Sequence, residues 1–141
     1  MRNTIIISII LLLFFCGCNK NKYNTVPSLK FKSVNTNLLS NFQVIQFTLS
    51  FTDKEGDLTD SITVIKTEPK CTNSNFVQPY KLPTFPTTKN ISGDLLVSFK
   101  YSDVAPQCPG RNDTAVFKFV LKDQAKHVSD TASSPTIVIL Q

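Results

Sequence analysis

The feature that most constrains the fold is an alternation of apolar and polar side chains in the segment 42–51. Ile45, Phe47, Leu49 and Phe51 lie on one side of an extended chain, and polar residues separate them. A side-chain period of two is typical of a β-strand with one buried face. Similar patterns predict further strands at 28–34, 62–67, 77–82, 95–101, 115–122 and 136–140.

These segments predict an all-β fold, an antiparallel β-sandwich of about seven strands. Each strand has one apolar face, so two sheets must pack face to face to exclude water from both. The chain contains eleven Phe and no Trp. We expect Phe47, Phe99, Phe117 and Phe119 at the centre of the core. A small barrel is the alternative arrangement.

The first 18 residues carry a different signal. Arg2 gives the chain a basic head, and an almost continuous apolar run follows from Ile5 to Phe15. Eleven helical residues span about 16 Å, roughly half of a bilayer core, so the run is too short to cross a membrane. The pattern predicts a secretory signal peptide, and a buried core helix is the alternative.

The apolar run ends in the segment 15–19, FCGCN, which resembles the lipobox of bacterial lipoproteins. The resemblance implies cleavage between Gly17 and Cys18, a diacylglyceryl group on Cys18 and acylation of the new amine. We therefore expect a lipoprotein signal peptide at 1–17, a lipidated Cys18 and polar tether at 18–27, and a β-sandwich domain at 28–141. Ordinary secretion with cleavage nearby is the alternative.

The residues after Cys18 indicate in which compartment the protein lies. Lys20 and Lys22 make the tether basic and Asn19 follows Cys18, which favours the periplasmic face of the outer membrane and leaves surface exposure open.

Without Arg2, the chain has fourteen basic and ten acidic residues, a net charge of +4. We expect the basic residues on solvated strand faces, because they are scattered along the chain. Nucleic-acid-binding proteins cluster such charge, so we expect no nucleic-acid partner.

The cysteines predict one disulfide. With Cys16 in the signal peptide and Cys18 at the lipid, Cys71 and Cys108 remain, and one such pair is typical of an exported domain. Closing a loop of this length stabilises a fold by about 4 kcal/mol in the chain-entropy model. A zinc–thiolate site is the alternative, but it requires four nitrogen or sulfur ligands, and His127 is the only histidine.

An acidic turn follows the strongest predicted strand. Asp53, Glu55 and Asp57 are spaced two residues apart around Gly56, and Asp123 follows another predicted strand. Calcium binds six to eight oxygen atoms, mostly from carboxylates and carbonyls, so these four acidic residues are candidate calcium ligands. A solvated turn in which Gly56 supplies a positive φ explains the same residues without an ion.

The segments 51–58 and 121–129 resemble turns of small lipoproteins with cadherin-like or PKD-like folds. They read FTDKEGDL and LKDQAKHVS. The resemblance implies an immunoglobulin-like β-sandwich, favours calcium at Asp53, Asp57 and Asp123, and implies no enzymatic activity. Lys126 stands where the related turns have Gly, and Glu55 stands where they usually have Asp.

Three short motifs resemble O-glycosylation sites of exported bacterial proteins. Each is an Asp followed by Ser or Thr and an aliphatic residue, at a predicted edge between a loop and a strand. The resemblance implies modification of Ser61, Thr114 and Thr131, and chance matches to so short a motif are the alternative.

Two functional classes remain open. We favour a lipid-anchored binding or structural module that is not an enzyme, because the sequence contains no phosphate loop, zincin motif or dinucleotide fingerprint. The alternative is a small envelope hydrolase that uses His127 or paired carboxylates. The loop 72–89 has three aromatic residues among prolines, which suits either a surface for a protein or glycan partner or a lid over the core.

Overall fold

The structure is a computed structural model that describes residues 24–58, 60–86 and 88–141. The predicted signal peptide, the lipidation site Cys18 and most of the tether lie outside the described residues. No helix in the described part is long and apolar enough to cross a membrane. The strands are β1 (Ser28–Val34), β2 (Leu38–Leu39), β3 (Val44–Asp53), β4 (Ser61–Thr67), β5 (Phe76–Lys81), β6 (Ile91–Lys100), β7 (Asp113–Lys122), β8 (Ala132–Ser133) and β9 (Ile137–Ile139).

The strands of the described residues form two sheets, so the predicted β-sandwich is confirmed. One sheet has the order β1-β3-β6, and the other has the order β2-β9-β7-β4-β5, with β8 paired to β7. The strand pairs are antiparallel except β2 and β9, which run parallel over Leu38–Leu39. The chain therefore passes from one sheet to the other between β1 and β2, and both termini of the domain are paired into sheets.

The alternation in β3 buries the side chains that it predicts. Ile45, Phe47 and Leu49 are fully buried, and β3 pairs with β6 over ten residues, from Val44 opposite Lys100 to Asp53 opposite Ile91. Strand β6 starts four residues earlier than predicted and ends before Tyr101, where a single helical turn, α1 (Tyr101–Val104), begins. The Asp103 carboxylate accepts a hydrogen bond from Lys100 N at 2.9 Å, which stabilises this turn and ends the strand.

Four phenylalanines hold the two sheets together, as predicted. The ring of Phe47 in β3 lies 4.9 Å from Phe117 and 5.1 Å from Phe119, both in β7, and 6.4 Å from Phe99 in β6. Because β3 and β7 belong to different sheets, the contacts of Phe47 with Phe117 and Phe119 cross the interior of the sandwich. Burial of each ring contributes about 1.5–3 kcal/mol.

The predicted disulfide is present between Cys71 and Cys108, with Cα atoms 6.0 Å apart. Cys71 precedes a short 3₁₀ turn (Thr72–Ser74), and Cys108 lies in the loop between α1 and β7. The bond therefore ties two long connections at one end of the sandwich, which is a stabilising role.

The aromatic residues of the loop 72–89 pack against the core. Phe85 lies 5.3 Å from Phe51, and Tyr80 lies 5.7 Å from Phe99, measured between ring centroids. Phe76 also contacts Phe99 at 6.2 Å. All three loop rings are partly buried, so this segment covers one open side of the core.

Candidate metal site

Three of the predicted calcium ligands meet at one end of the sandwich. Asp53 is the last residue of β3, Asp57 follows in the acidic turn, and Asp123 comes directly after β7. One carboxylate oxygen from each lies within 4.8 Å of the others. Asp53 and Asp123 are fully buried, and Asp57 is half-buried. The cluster joins the end of a strand in one sheet to the end of a strand in the other.

The acidic turn is organised around Asp53. Its Oδ2 atom accepts hydrogen bonds from Gly56 N at 2.6 Å and from Asp57 N at 3.2 Å. Gly56 has a φ of 73°, in the left-handed region that favours glycine. These two hydrogen bonds fold the chain into a tight turn, and the turn brings Asp57 close to Asp53.

Glu55, the fourth predicted ligand, is exposed at this turn and lies outside the cluster. The reason is geometric, because the turn that brings Asp53 and Asp57 together leaves Glu55, midway between them, at its tip. The prediction from spacing assumed that all three carboxylates would converge.

The turn after β7 brings in the third carboxylate. Asp123 Oδ1 accepts a hydrogen bond from His127 N at 2.7 Å, and its Oδ2 atom lies 2.9 Å from His127 Nδ1. Lys126 has a φ of 72° in this turn, in the left-handed region that favours glycine. Asp57 joins the two turns, because its Oδ2 accepts from Ala125 N at 3.3 Å.

Two oxygens of the cluster have no hydrogen-bond partner in the described part of the chain. They are Oδ1 of Asp53 and Oδ1 of Asp57, and both are buried. Buried carboxylates in proteins are normally paired, hydrogen-bonded or bound to a metal ion. Three close carboxylates, two of which have an unpartnered oxygen, offer the kind of oxygen ligand that a hard cation such as calcium prefers.

The residues that a hydrolase would use are arranged differently. The Ser129 hydroxyl accepts a hydrogen bond from Leu121 N at 2.9 Å and donates one to Asp130 O at 2.8 Å. These bonds place Ser129 in the backbone network of the loop after β7, while the His127 ring contacts Asp123. A nucleophilic triad requires the hydroxyl to contact the histidine, and these three side chains do not form that chain of contacts.

The possible glycosylation residues are well separated. Ser61 starts β4 and is half-buried, Thr114 is exposed near the start of β7, and Thr131 is exposed just before β8. All three lie at the strand edges where the motifs predicted them.

A second polar cluster was missed by the sequence reasoning. Lys66 on β4 is only 1% exposed, and its Nζ lies 2.6 Å from Oδ2 of Asp113, which is fully buried. Glu68 is also fully buried. The assignment of Lys66 to a solvated strand face was therefore wrong. The sequence contained a pattern that predicts this burial, because Lys66 lies on the same face of β4 as the buried Ile62 and Val64.

An apolar groove lies between β5 and β6. Its lining includes Tyr80, Phe85 and Leu96, and its volume is about 340 Å³. Burial raises the pKa of the Tyr80 hydroxyl above its ordinary value of 10.0, and the Asp103 carboxylate raises it further. Tyr80 and Phe85 belong to the loop that the sequence predicted as a contact surface, and they line the groove while packing against the core.

The comparisons with known proteins found weak likeness to solved structures. No family model and no curated protein matches the chain. The sporulation control protein Spo0M from Bacillus subtilis is similar with a TM-score of 0.44 and 10% identity, over 82% of this chain and 50% of that chain. A beta-glucosidase from Listeria innocua, solved in complex with gluconolactone, is similar with a TM-score of 0.42 and 11% identity, over 82% of this chain and 16% of that chain. The chain spans half or less of the length of both proteins.

Proposed function

We propose that this chain is a lipid-anchored β-sandwich module of the bacterial cell envelope that binds calcium through Asp53, Asp57 and Asp123. The observation that carries the proposal is the convergence of three carboxylates within 4.8 Å, two of them with buried oxygens that lack partners among the described residues. The module acts by binding and by holding its loops in place, and we assign it no catalytic residue.

Calcium fits this cluster for electrostatic reasons. Carboxylates this close repel each other in a site of low water content, and an unpartnered buried carboxylate is costly. The half-exposed His127 ring contacts the Asp123 carboxylate. Lys126 pairs instead with Asp60 at 3.0 Å. A divalent cation would neutralise the charge between Asp53 and Asp57 and accept their unpartnered oxygens as ligands.

The position of the cluster indicates a structural effect of the ion. Asp53 ends β3 in one sheet, and Asp123 follows β7 in the other. An ion bound to both would join the two sheets at this end of the sandwich, where loops rather than core residues connect them. We therefore expect calcium to stiffen this end of the module.

The described chain enters the domain at the same end as this cluster. Asn24 O accepts a hydrogen bond from Lys54 N at 3.2 Å, so the chain enters the domain beside the acidic turn. Five residues lie between Cys18 and Asn24, and the six Cα-to-Cα steps reach at most about 21 Å. The proposed calcium site would thus lie close to the membrane surface. Support for the anchor comes from the lipobox-like segment 15–19 and from a disulfide of the kind found in exported domains.

The strand order supports an immunoglobulin-type sandwich. In that fold, strands A, B and E face strands C, F and G. Here β1, β3 and β6 take the places of A, B and E, and β4, β7 and β9 take those of C, F and G. The β5 strand beside β4 matches the extra edge strand of variable-type domains.

Thermal unfolding of the Cys18→Ser protein, in calcium and in chelator, tests the binding function. We expect calcium at about one hundred times its Kd to stabilise the fold by about 2.7 kcal/mol, seen as a higher Tm. The Asp53→Asn protein should lose this shift, and the Glu55→Gln protein, altered at an exposed carboxylate of the same turn, should keep it. An unchanged Tm in millimolar calcium would contradict the proposal.

Fractionation of cells tests the anchor separately. The protein with the natural sequence, which keeps Cys18, should sediment with membranes. The Cys18→Ser protein should be recovered in the soluble periplasmic fraction. If both proteins sediment with membranes, the lipid on Cys18 is not the anchor, whatever the result with calcium.

A further inference from the structure

We propose that Lys66 and Asp113 form an intramolecular amide bond that joins β4 to β7 inside the sandwich. The Lys66 Nζ atom lies 2.6 Å from Asp113 Oδ2, and the two side chains are 1% and 0% exposed. This would be a covalent modification site, distinct from the calcium site and independent of it.

The two residues meet because of the sheet register. Lys66 lies opposite Phe117 in the β4–β7 ladder, and Asp113 lies four residues before Phe117 at the start of β7. The two side chains together bridge this offset, and both end groups are buried in the interior. The contact joins residues that are 47 positions apart in the sequence.

The surroundings hold the pair in place. Lys66 Nζ also donates a hydrogen bond to Val104 O at 2.8 Å. Glu68, two residues along the chain from Lys66, accepts hydrogen bonds from Lys70 N at 2.8 Å and from Thr114 N, directly beside Asp113. The backbone on both sides of the contact is therefore fixed, and Lys66 Nζ is held against the Asp113 carboxyl group, as an intramolecular reaction requires.

The ion pair is poorly compensated as it stands. Asp113 Oδ1 is buried and has no hydrogen-bond partner in the described part of the chain. Removing two charges from water is expensive, and a buried pair recovers that cost only when its remaining donors and acceptors are satisfied. Transfer of one proton from Nζ to the carboxylate removes both charges and leaves an amine beside a carboxylic acid.

The amine and the acid can then condense. The lone pair of Lys66 Nζ attacks Cγ of Asp113, a C–N bond forms, and one C–O bond of the carboxyl group breaks. The departing oxygen takes the acid proton and one proton from the nitrogen, and it leaves as water. The ammonium and carboxylate thus become one amide and one water molecule, without an oxidant or co-reactant. The remaining N–H can keep its hydrogen bond to Val104 O.

Intact mass spectrometry of the Cys18→Ser protein, unfolded and fully reduced, tests the bond directly. We expect the whole population to be lighter than the sequence mass by one water molecule. A protease digest should yield one branched peptide that contains both Lys66 and Asp113. A mass equal to that of the unmodified sequence would show that the pair is only ionic, and the proposal would fail.

A second pair in the same protein supplies a matched control. Lys32 and Asp94 are also 2.6 Å apart, but their side chains are 57% and 42% exposed. Water solvates these charges, so no condensation is expected there. The Lys32→Gln protein should keep the loss of one water, and the Lys66→Gln protein should lack it. If the Lys66→Gln protein were still lighter than its sequence mass by one water molecule, the amide bond would involve other residues, and the proposal would fail.

Discussion

A Cβ atom built on Gly56 would lie 2.0 Å from the carbonyl oxygen of Thr88. The backbone of the acidic turn therefore runs directly against the segment that precedes β6. Asn90 N strengthens this contact by donating a hydrogen bond to Lys54 O at 2.8 Å. Because Asp53 and Asp57 flank this contact, the glycine helps to set the position of two candidate metal ligands.

Substitution of Gly56 by Ala should destabilise the fold through both strain and collision. Gly110 is the matched control, because it has nearly the same φ, 72°, but a Cβ atom added there would meet no atom of the described residues within 4 Å. We expect Gly110→Ala to cost about 1 kcal/mol from left-handed strain alone. Gly56→Ala should cost at least about 2 kcal/mol more, measured by urea unfolding. Equal losses for the two variants would mean that Thr88 moves away freely.

Neutralising Asp57 should have opposite effects with and without calcium. In chelator, Asp57→Asn removes like-charge repulsion from the cluster, so the Tm should rise. In calcium, the same change removes a ligand charge, so the gain in Tm on adding the ion should shrink. The side-chain oxygen of Asn can still accept from Ala125 N, which keeps the turn intact. A fall in Tm of the same size in both buffers would indicate a purely structural role for Asp57.

The central phenylalanine should be the most costly core residue to truncate. Phe47 contacts rings from both sheets, so Phe47→Ala should reduce the free energy of unfolding by about 3–5 kcal/mol. Phe42 is the control, because its side chain is 96% exposed. We expect Phe42→Ala to change stability by less than about 0.5 kcal/mol in the same denaturant titration.

Removal of the disulfide should weaken the fold without changing its strand content. The Cys71→Ser, Cys108→Ser double variant should lose about 2–5 kcal/mol, because the reduced unfolded chain gains conformational freedom. Chemical unfolding together with circular dichroism measures both quantities. A double variant as stable as the parent protein would show that the loops are held by their other contacts, such as Arg111 Nη1 to Lys70 O at 2.9 Å.

Local patterns were enough to predict the sandwich, the phenylalanine core and the cysteine pair. Alternation along β3 and β7 is a property of neighbouring residues, and the side-chain direction in a strand follows from it directly. The cysteine pairing followed from counting, because two of the four cysteines precede the predicted domain. The lipid anchor is likewise a prediction from a short motif, and it still depends on the fractionation experiment.

Contacts between distant segments were decided only by the tertiary structure. The sequence predicted Glu55 and Asp123 as ligands beside Asp53 and Asp57. The turn leaves Glu55 exposed, and the packing of the two sheets brings Asp123 to Asp53. In the same way, the sequence placed Lys66 on a strand without showing that Asp113 would meet it in the interior. Sheet register and turn geometry determine which side chains share a buried space, and both depend on how the whole chain packs. Strand identity is local, whereas the chemistry of a buried site is set by residues that folding brings together.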